Sequence, residues 1–195
     1  EDLVRRTKEL GMKSLALTDH GVMYGIIDFH EIASRHGIRP IVGCEVYVAP
    51  RTRFDKSSKK EDSPYHLVLL AENNQGYRNL MKLVTLGFLD GFYYKPRIDK
   101  EILREHHHGL IGLSGCLTGE LARLIQARNY EAARKVAQEY RDILGSDNYF
   151  LEIQDQNIEE QKEINRVLAD LSAELGIPLV ATNDIHYINP EDAYA

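Results

Sequence analysis

Residues 159–182, EEQKEINRVLADLSAELGIPLVAT, pass from a helix to a strand across a single glycine, and this passage decides the fold. Ile164, Val167, Leu168, Leu171 and Leu175 recur at helical spacing on one face, which predicts an amphipathic helix over 159–175. Gly176 suits the stop, because the residue that closes a helix often turns left-handed, where a Cβ is penalised. Pro178 keeps the helix from resuming. Leu179–Thr182 is then a short apolar run of strand type. The same punctuation recurs at Leu10-Gly11-Met12, His36-Gly37-Ile38 (with Pro40 behind it) and Leu144-Gly145-Ser146. Counting outward, the candidate strands are 14–18, 41–48, 66–71, 110–114, 149–153 and 179–182. They read as nearly continuous apolar runs, as parallel strands buried on both faces require. Strands separated mainly by helices predict an α/β fold with a parallel sheet, open or closed into a barrel. A first helix, carried by Leu3, Thr7 and Leu10, leads straight into strand 14–18. Such a helix normally follows a strand, so one more strand is expected upstream of Glu1, with the chain an internal piece of something larger.

Composition sets the class. The chain has 195 residues, 43% hydrophobic and 28% charged, with no tryptophan. No apolar run is long enough to span a bilayer and no signal-peptide pattern is present, which predicts a soluble protein without a membrane partner. Two cysteines, Cys44 and Cys116, cannot make a disulfide framework, which points to a reducing cytoplasm. A net charge of −6 argues against a stand-alone nucleic-acid binder, although bound cations would reverse the local field. Two stretches break the rhythm. Residues 51–63 are polar and predict a mobile loop. Residues 87–99 hold Phe88, Phe92, Tyr93, Tyr94, Lys95, Pro96 and Arg97, an aromatic and basic loop.

Metal-capable side chains fall at the strand ends. Asp19-His20 follows the first strand, and Glu45 lies in or just beyond the second. His66 opens the third, Cys116 follows the fourth, and Asp184-x-His186 follows the sixth. In parallel α/β folds the carboxyl ends of the strands form the ligand-binding face, where groups from successive strands converge. Imidazole, carboxylate and thiolate together suit zinc or a similar ion better than magnesium. Singly, each has a plainer explanation: Asp19 could cap a helix, Cys116 could be a small buried hydrophobe and His66 a core histidine. Period two would aim Asp184 and His186 to one side. The joint pattern is what carries the metal reading. The triplet His106-His107-His108 precedes a strand, on the opposite end, and reads as solvated loop; His30 and His36 read as ordinary helix surface.

Thr18-Asp19-His20-Gly21, Gly43-Cys44-Glu45, His66-Leu67-Val68-Leu69-Leu70, Leu113-Ser114-Gly115-Cys116 and Ala181-Thr182-Asn183-Asp184-Ile185-His186-Tyr187 together resemble the polymerase-and-histidinol-phosphatase (PHP) domain. Ala71-Glu72-Asn73-Asn74-Gln75-Gly76-Tyr77-Arg78-Asn79-Leu80 and Tyr94-Lys95-Pro96-Arg97-Ile98-Asp99 narrow the likeness to the PHP domain of bacterial replicative DNA polymerase III alpha subunits. The resemblance covers essentially the whole chain. It implies a distorted seven-stranded β/α barrel whose first strand, with a His-x-His motif, is missing from residues 1–195, and polymerase domains downstream. It implies up to three divalent ions, zinc foremost with manganese or iron as alternatives, on nine ligands. His20, Glu45, His66, Cys116, Asp184 and His186 would take six of those places, so fewer ions are expected here.

By the family pattern Glu45, His66 and Cys116 would form one site, and His20 with His186 another. Asp184 would complete the third, and Asp19 would orient His20. Asp184, His186 and Glu45 would be the catalytic set. The resemblance further implies 3′–5′ exonuclease chemistry on DNA, with Lys95 and Arg97 as phosphate contacts and Tyr93 or Tyr94 stacking a base. The other polymerase III holoenzyme subunits would be partners. Two rival expectations stand beside it: a metal-stapled module that braces the polymerase or docks a proofreading subunit, and a free small-molecule phosphatase of the histidinol-phosphatase type. A sheet lacking one strand predicts marginal stability or a disordered edge.

Overall fold

The computed structural model describes residues 1–57 and 63–194. Its elements run α1 (Asp2–Glu9), β1 (Ser14–Leu17), α2 (Ile26–Arg35), β2 (Arg39–Val48), β3 (Tyr65–Ala71), α3 (Asn74–Leu89), β4 (Arg97–Ile98), α4 (Lys100–Glu105), β5 (Leu110–Leu113), α5 (Glu120–Gln126), α6 (Tyr130–Leu144), β6 (Tyr149–Gln154), α7 (Glu159–Leu175) and β7 (Leu179–Thr182), with a closing 3-10 turn over Pro190–Tyr194. The sheet order is β1-β2-β3-β5-β6-β7, with β4 paired beside β2. The helix over 159–175 is as the sequence predicts, and the four stop glycines all have positive φ: Gly11 at 73°, Gly37 at 73°, Gly145 at 99° and Gly176 at 66°.

The sheet is not wholly parallel. β1–β2, β5–β6 and β6–β7 pair in parallel, but β3 runs antiparallel to both β2 and β5. Apolar runs in β3 come from burial on both faces, which does not distinguish strand direction. No helix intervenes between β2 and β3 among the described residues, and a crossover is what a parallel pair would need. The aromatic and basic stretch also differs from a plain loop: residues 87–89 finish α3, and Arg97–Ile98 forms β4. Of the expected mobile loop, residues 58–62 lie outside the described residues. Its described start is pinned, because the Arg53 guanidinium and backbone N–H both bind the buried Asp99 carboxylate at 2.9–3.1 Å.

Period two gives the sheet two different faces. Cys44, Val46, Val48, Leu67, Leu69, Leu110, Tyr149 and Leu151 join the helices in the main core, where Leu80, Leu83, Ile102, Leu121 and Leu168 meet them. The intervening side chains, among them Glu45, Val68, Leu70, Ile111, Leu113, Phe150, Glu152 and Val180, line a cavity of about 680 Å³ on the other face. β1 and β7, the two ends of the sheet order, border the same cavity. A smaller core of Val4, Leu15, Phe29, Ala33 and Ile38 seats α1 and α2 on β1.

The start of α3 is fixed by backbone contact. Asn73 caps it, its side chain accepting from the N–H groups of Gln75 and Gly76. A Cβ at Gly76 would stand 1.7 Å from the Gly109 carbonyl oxygen, with no flexible side chain to give way. Gly76→Ala should therefore destabilise the fold by about 2 kcal/mol or more, read as a lower denaturant midpoint with an unchanged slope.

Candidate metal centre

The reversal of β3 explains the position of His66. In parallel neighbours the carboxyl ends lie together, and a strand running the other way brings its amino end to the same place. His66 sits opposite Tyr47 near the end of β2, and its Nδ1 is 2.5 Å from Glu45 Oε1 on the adjoining strand. His20 arrives from the other side. Past β1 the pairing continues, with Glu45 N–H donating to Asp19 O at 3.1 Å and Gly21 N–H to Glu45 O at 2.9 Å, and this brings His20 Nδ1 within 3.8 Å of Glu45 Oε2. His20, Glu45 and His66 can each offer one ligand atom, all within 4.8 Å of one another. Glu45 thus stands between two groups, one oxygen toward His66 and the other toward His20.

Cys116 joins on the Oε1 side. Its Sγ is 3.8 Å from both Glu45 Oε1 and His66 Nδ1, and it also contacts Thr118 Oγ1 at 3.0 Å. A tight turn delivers it: Gly115 has φ of 85°, and a Cβ there would meet the His66 carbonyl oxygen at 2.8 Å. Asp184 and His186 line the same cavity as His20 and Glu45. They lie beyond β7 in irregular chain, with Asp184 at φ of 47°, so period two is not what aims them. His186 Nδ1 is 2.8 Å from the Asp184 carbonyl oxygen, which can only accept. Nδ1 must carry the proton there, leaving the Nε2 lone pair of the neutral ring free for a ligand. The His20 and His186 rings are 6.2 Å apart, and His20 is 5.0 Å from His66.

Asp19 does not orient His20 as the sequence reading expects. Its carboxylate makes no hydrogen bond to His20 among the described residues; its backbone carbonyl is what serves the site, accepting from Glu45 N–H and from Cys44 Sγ at 3.3 Å. Cys44 is wholly buried, which pushes its thiol up to about 12, and it belongs to the core. Arg97 is likewise no phosphate contact. It is 4% exposed, and its guanidinium already donates to the carbonyls of Gly91, Arg53 and Asp55 at 2.9–3.1 Å. Lys95 is exposed, with its ammonium 5.3 Å over the Tyr47 ring, and Tyr47 in turn packs against His20 and His66. The strand-start triplet stays apart, with His107 Nδ1 held by Arg104 O. Tyr47 and Glu152 were not among the residues singled out from sequence. Tyr47 was findable as the residue two beyond Glu45 on one strand face, and Glu152 as the lone carboxylate in an apolar strand.

The donor set fits a borderline divalent ion. Burial alone would raise Glu45, but the hydrogen bond and positive charge of His66 hold it below the usual carboxylate range. His66 rises from 6.5 to about 9; burial opposes this, and its hydrogen bonds to Cys116 and Glu45 and their negative charge outweigh it. Asp184 is raised, by burial first and by the Glu45 charge next. These are the marks of a negative cluster held by one imidazolium.

Residues 1–156 match the family described as the PHP domain. The chain belongs to the PHP domain family. This PHP domain is 48% identical to the DNA polymerase III subunit alpha of Treponema pallidum, over 99% of the chain and 17% of that protein. It is 43% identical to that of Borreliella burgdorferi and 44% to that of Thermus aquaticus, over 100% of the chain and 17% and 16% of those proteins. The chain spans about a sixth of the length of these curated relatives. Among solved structures, an amidohydrolase from Chromobacterium violaceum with bound sulfate superposes with a TM-score of 0.59 at 13% identity, over 97% of this chain and 82% of that one. A protein from Bifidobacterium adolescentis described as a metal-dependent phosphoesterase does so at 0.54 and 12% identity, over 96% and 81%. At those identities the likeness shows a shared mixed α/β curled-sheet fold.

In the metal-free PHP domain the Glu45–His66 pair sets a pH window. The raised His66 contributes stability that is full below pH 6.5 and lost as pH rises through about 9. The lowered Glu45 contributes stability present above its ordinary 4.5 and lost as pH falls through its depressed value. The pair is therefore intact between pH 4.5 and 6.5 and weakens toward 9. Nuclear magnetic resonance titration of chelator-treated protein should place His66 near 9, and Glu45→Gln should bring it back down.

Proposed function

We propose that this PHP domain is a metal-dependent phosphoesterase, removing nucleotides from the 3′ end of DNA as part of the alpha subunit of a bacterial replicative DNA polymerase. The observation that carries the reading is Glu45, whose two carboxylate oxygens face His20 on one side and His66 with Cys116 on the other, at a cavity that Asp184 and His186 also line. His20, Glu45, His66, Cys116, Asp184 and His186 would hold the ions, and thiolate with imidazole favours zinc over magnesium. Bound there, divalent ions would supply an acidified water and a counter-charge for phosphoryl oxygens. The chain's own residues do the rest. Glu45 is buried and held as a carboxylate by His66, so it is ready to bind without losing a proton. His66 would serve as a ligand in its neutral form, beside the Glu45 carboxylate. His186 keeps Nδ1 on the Asp184 carbonyl and so presents Nε2. Lys95, exposed beside Tyr47, would meet a backbone phosphate.

The polymerase setting is supported by the relatives, which are polymerase III alpha subunits along the whole of this chain, and it weighs against a free small-molecule phosphatase. That setting brings DNA and the other holoenzyme subunits as partners and the bacterial cytoplasm as location. Among the described residues no helix is long and apolar enough to cross a membrane. A second reading, the domain as a brace or a dock for a proofreading subunit, is favoured by Phe92 and Tyr94, which stand 50% and 80% exposed in the segment that carries Lys95.

The two readings part in one experiment on the full-length protein. Asp184→Asn at equal metal content should lower release of nucleotides from 3′-labelled DNA roughly 100-fold or more, the scale of losing one group that stabilises transition-state charge, and leave polymerisation intact. Hydrolysis that matches wild type would leave only the brace. Lys95→Ala should raise KM for DNA at low salt with kcat little changed.

A further inference from the structure

β6 lies between β5 and β7 in the sheet, and therefore between the turn that delivers Cys116 and the segment that delivers Asp184 and His186. Glu152, on its cavity face, is 5% exposed and carries a carboxylate with partners on both sides. Toward β5, Oε2 accepts from the Gly115 N–H at 3.1 Å, and the Glu152 N–H donates to Ser114 Oγ at 2.9 Å. Toward β7, Oε1 accepts from Thr182 Oγ1 at 2.5 Å, and Gln154 Nε2 donates to the same oxygen at 3.1 Å. Gly115 immediately precedes Cys116, and Thr182 stands two residues before Asp184. Both anchored segments hold left-handed backbone, Gly115 at φ of 85° and Asp184 at 47°. Such conformations persist where neighbouring contacts over-determine them.

Among the described residues no basic side chain pairs with this carboxylate, although it is buried. A carboxylate buried without a counter-charge is costly, and one kept beside the acidic Asp184 more so. A structural tie between two strands could be made by a neutral side chain. The acceptor-only character of the carboxylate is what three converging donors need, since a Gln amide would set its own N–H₂ against one of them.

Resting on the metal-centre reading above, we propose that Glu152 is a positioning residue: it locks the Cys116 turn and the Asp184-x-His186 segment to one strand, so that the two halves of the ligand set are held at a fixed separation. Glu152 acts through Gly115 and Thr182 and is not itself counted among the ligands.

Cobalt(II) is the probe, titrated into the metal-stripped full-length protein, because a thiolate ligand announces itself as a near-ultraviolet charge-transfer band. Wild type should show that band. Glu152→Gln should weaken cobalt binding by about 10- to 100-fold, the range seen when a group that orients a ligand is lost, and diminish the band, with circular dichroism unchanged. Thr182→Val, which removes only the tie to β7, should keep the thiolate band but lose affinity for the cobalt held on the Asp184 side. Glu152→Asp should restore part of the affinity, as an acceptor-only group would. A folded Glu152→Gln protein with wild-type band and midpoint overturns the proposal. Should that variant fail to fold, wild-type cobalt stoichiometry and midpoints in Thr182→Val overturn it instead. Absence of the band from wild type would sink the metal-centre reading itself, a different result from the other two.

Discussion

One reversed strand organises the site. Parallel strands gather their carboxyl ends on one side, and a residue opening a strand would face away from them. β3 runs against both neighbours, so His66, near its start, reaches Glu45 across the β2–β3 ladder. That contact matters energetically as well as geometrically. A carboxylate as buried as Glu45 is costly unless a charge or donors meet it, and His66 supplies both. The other candidate ligands are arranged around this pair: His20 by the continuation of the β1–β2 pairing, Cys116 by the turn packed on the His66 carbonyl.

Much of this was legible in the sequence, and the reasons differ by element. The helix over 159–175 and the glycine stops were plain because periodicity and positive φ are local properties. Six of the seven strands among the described residues were found to within two residues at either end for the same reason, while the two-residue β4 was read as loop. Strand direction was not legible, since an apolar run reports burial and says nothing of orientation. The grouping of His20, Glu45, His66 and Cys116 followed from strand-end placement, although for His66 the placement was right only because the strand is reversed. Arg97 misled because its neighbours look like a phosphate-binding loop, whereas its guanidinium is satisfied by three backbone carbonyls. Asp19 misled because a carboxylate beside a histidine invites a side-chain role, and its backbone carbonyl holds the place instead.

The cavity end of the sheet is short of positive charge. Glu45, Glu152 and Asp184 all border it, and the last two sit above their usual range, both through burial first, with the Asp184 charge adding to it at Glu152 and the Glu45 charge at Asp184. The left-handed backbone at Asp184 adds local strain. Arrangements of this kind lower the stability of the folded chain, and a cation that bound it in preference to the unfolded one would offset that cost. The same crowding that makes the site a poor piece of core is what a divalent ion would relieve.

The alternation along β2 and β3 has a consequence for how the domain can change over time. Glu45 and His66 sit on the cavity side, while their immediate neighbours Cys44, Val46 and Leu67 face the helices. Inserting or deleting one residue inside either strand would exchange the two sets, aiming grease at the ligands' place and charge into the core. Residues 51–57 and 63–64, between β2 and β3, are free of that restriction, because they lie outside the ladder. Length variation should therefore accumulate between positions 51 and 64 and be purged within 39–48 and 65–71, a frame that inherited insertions must respect.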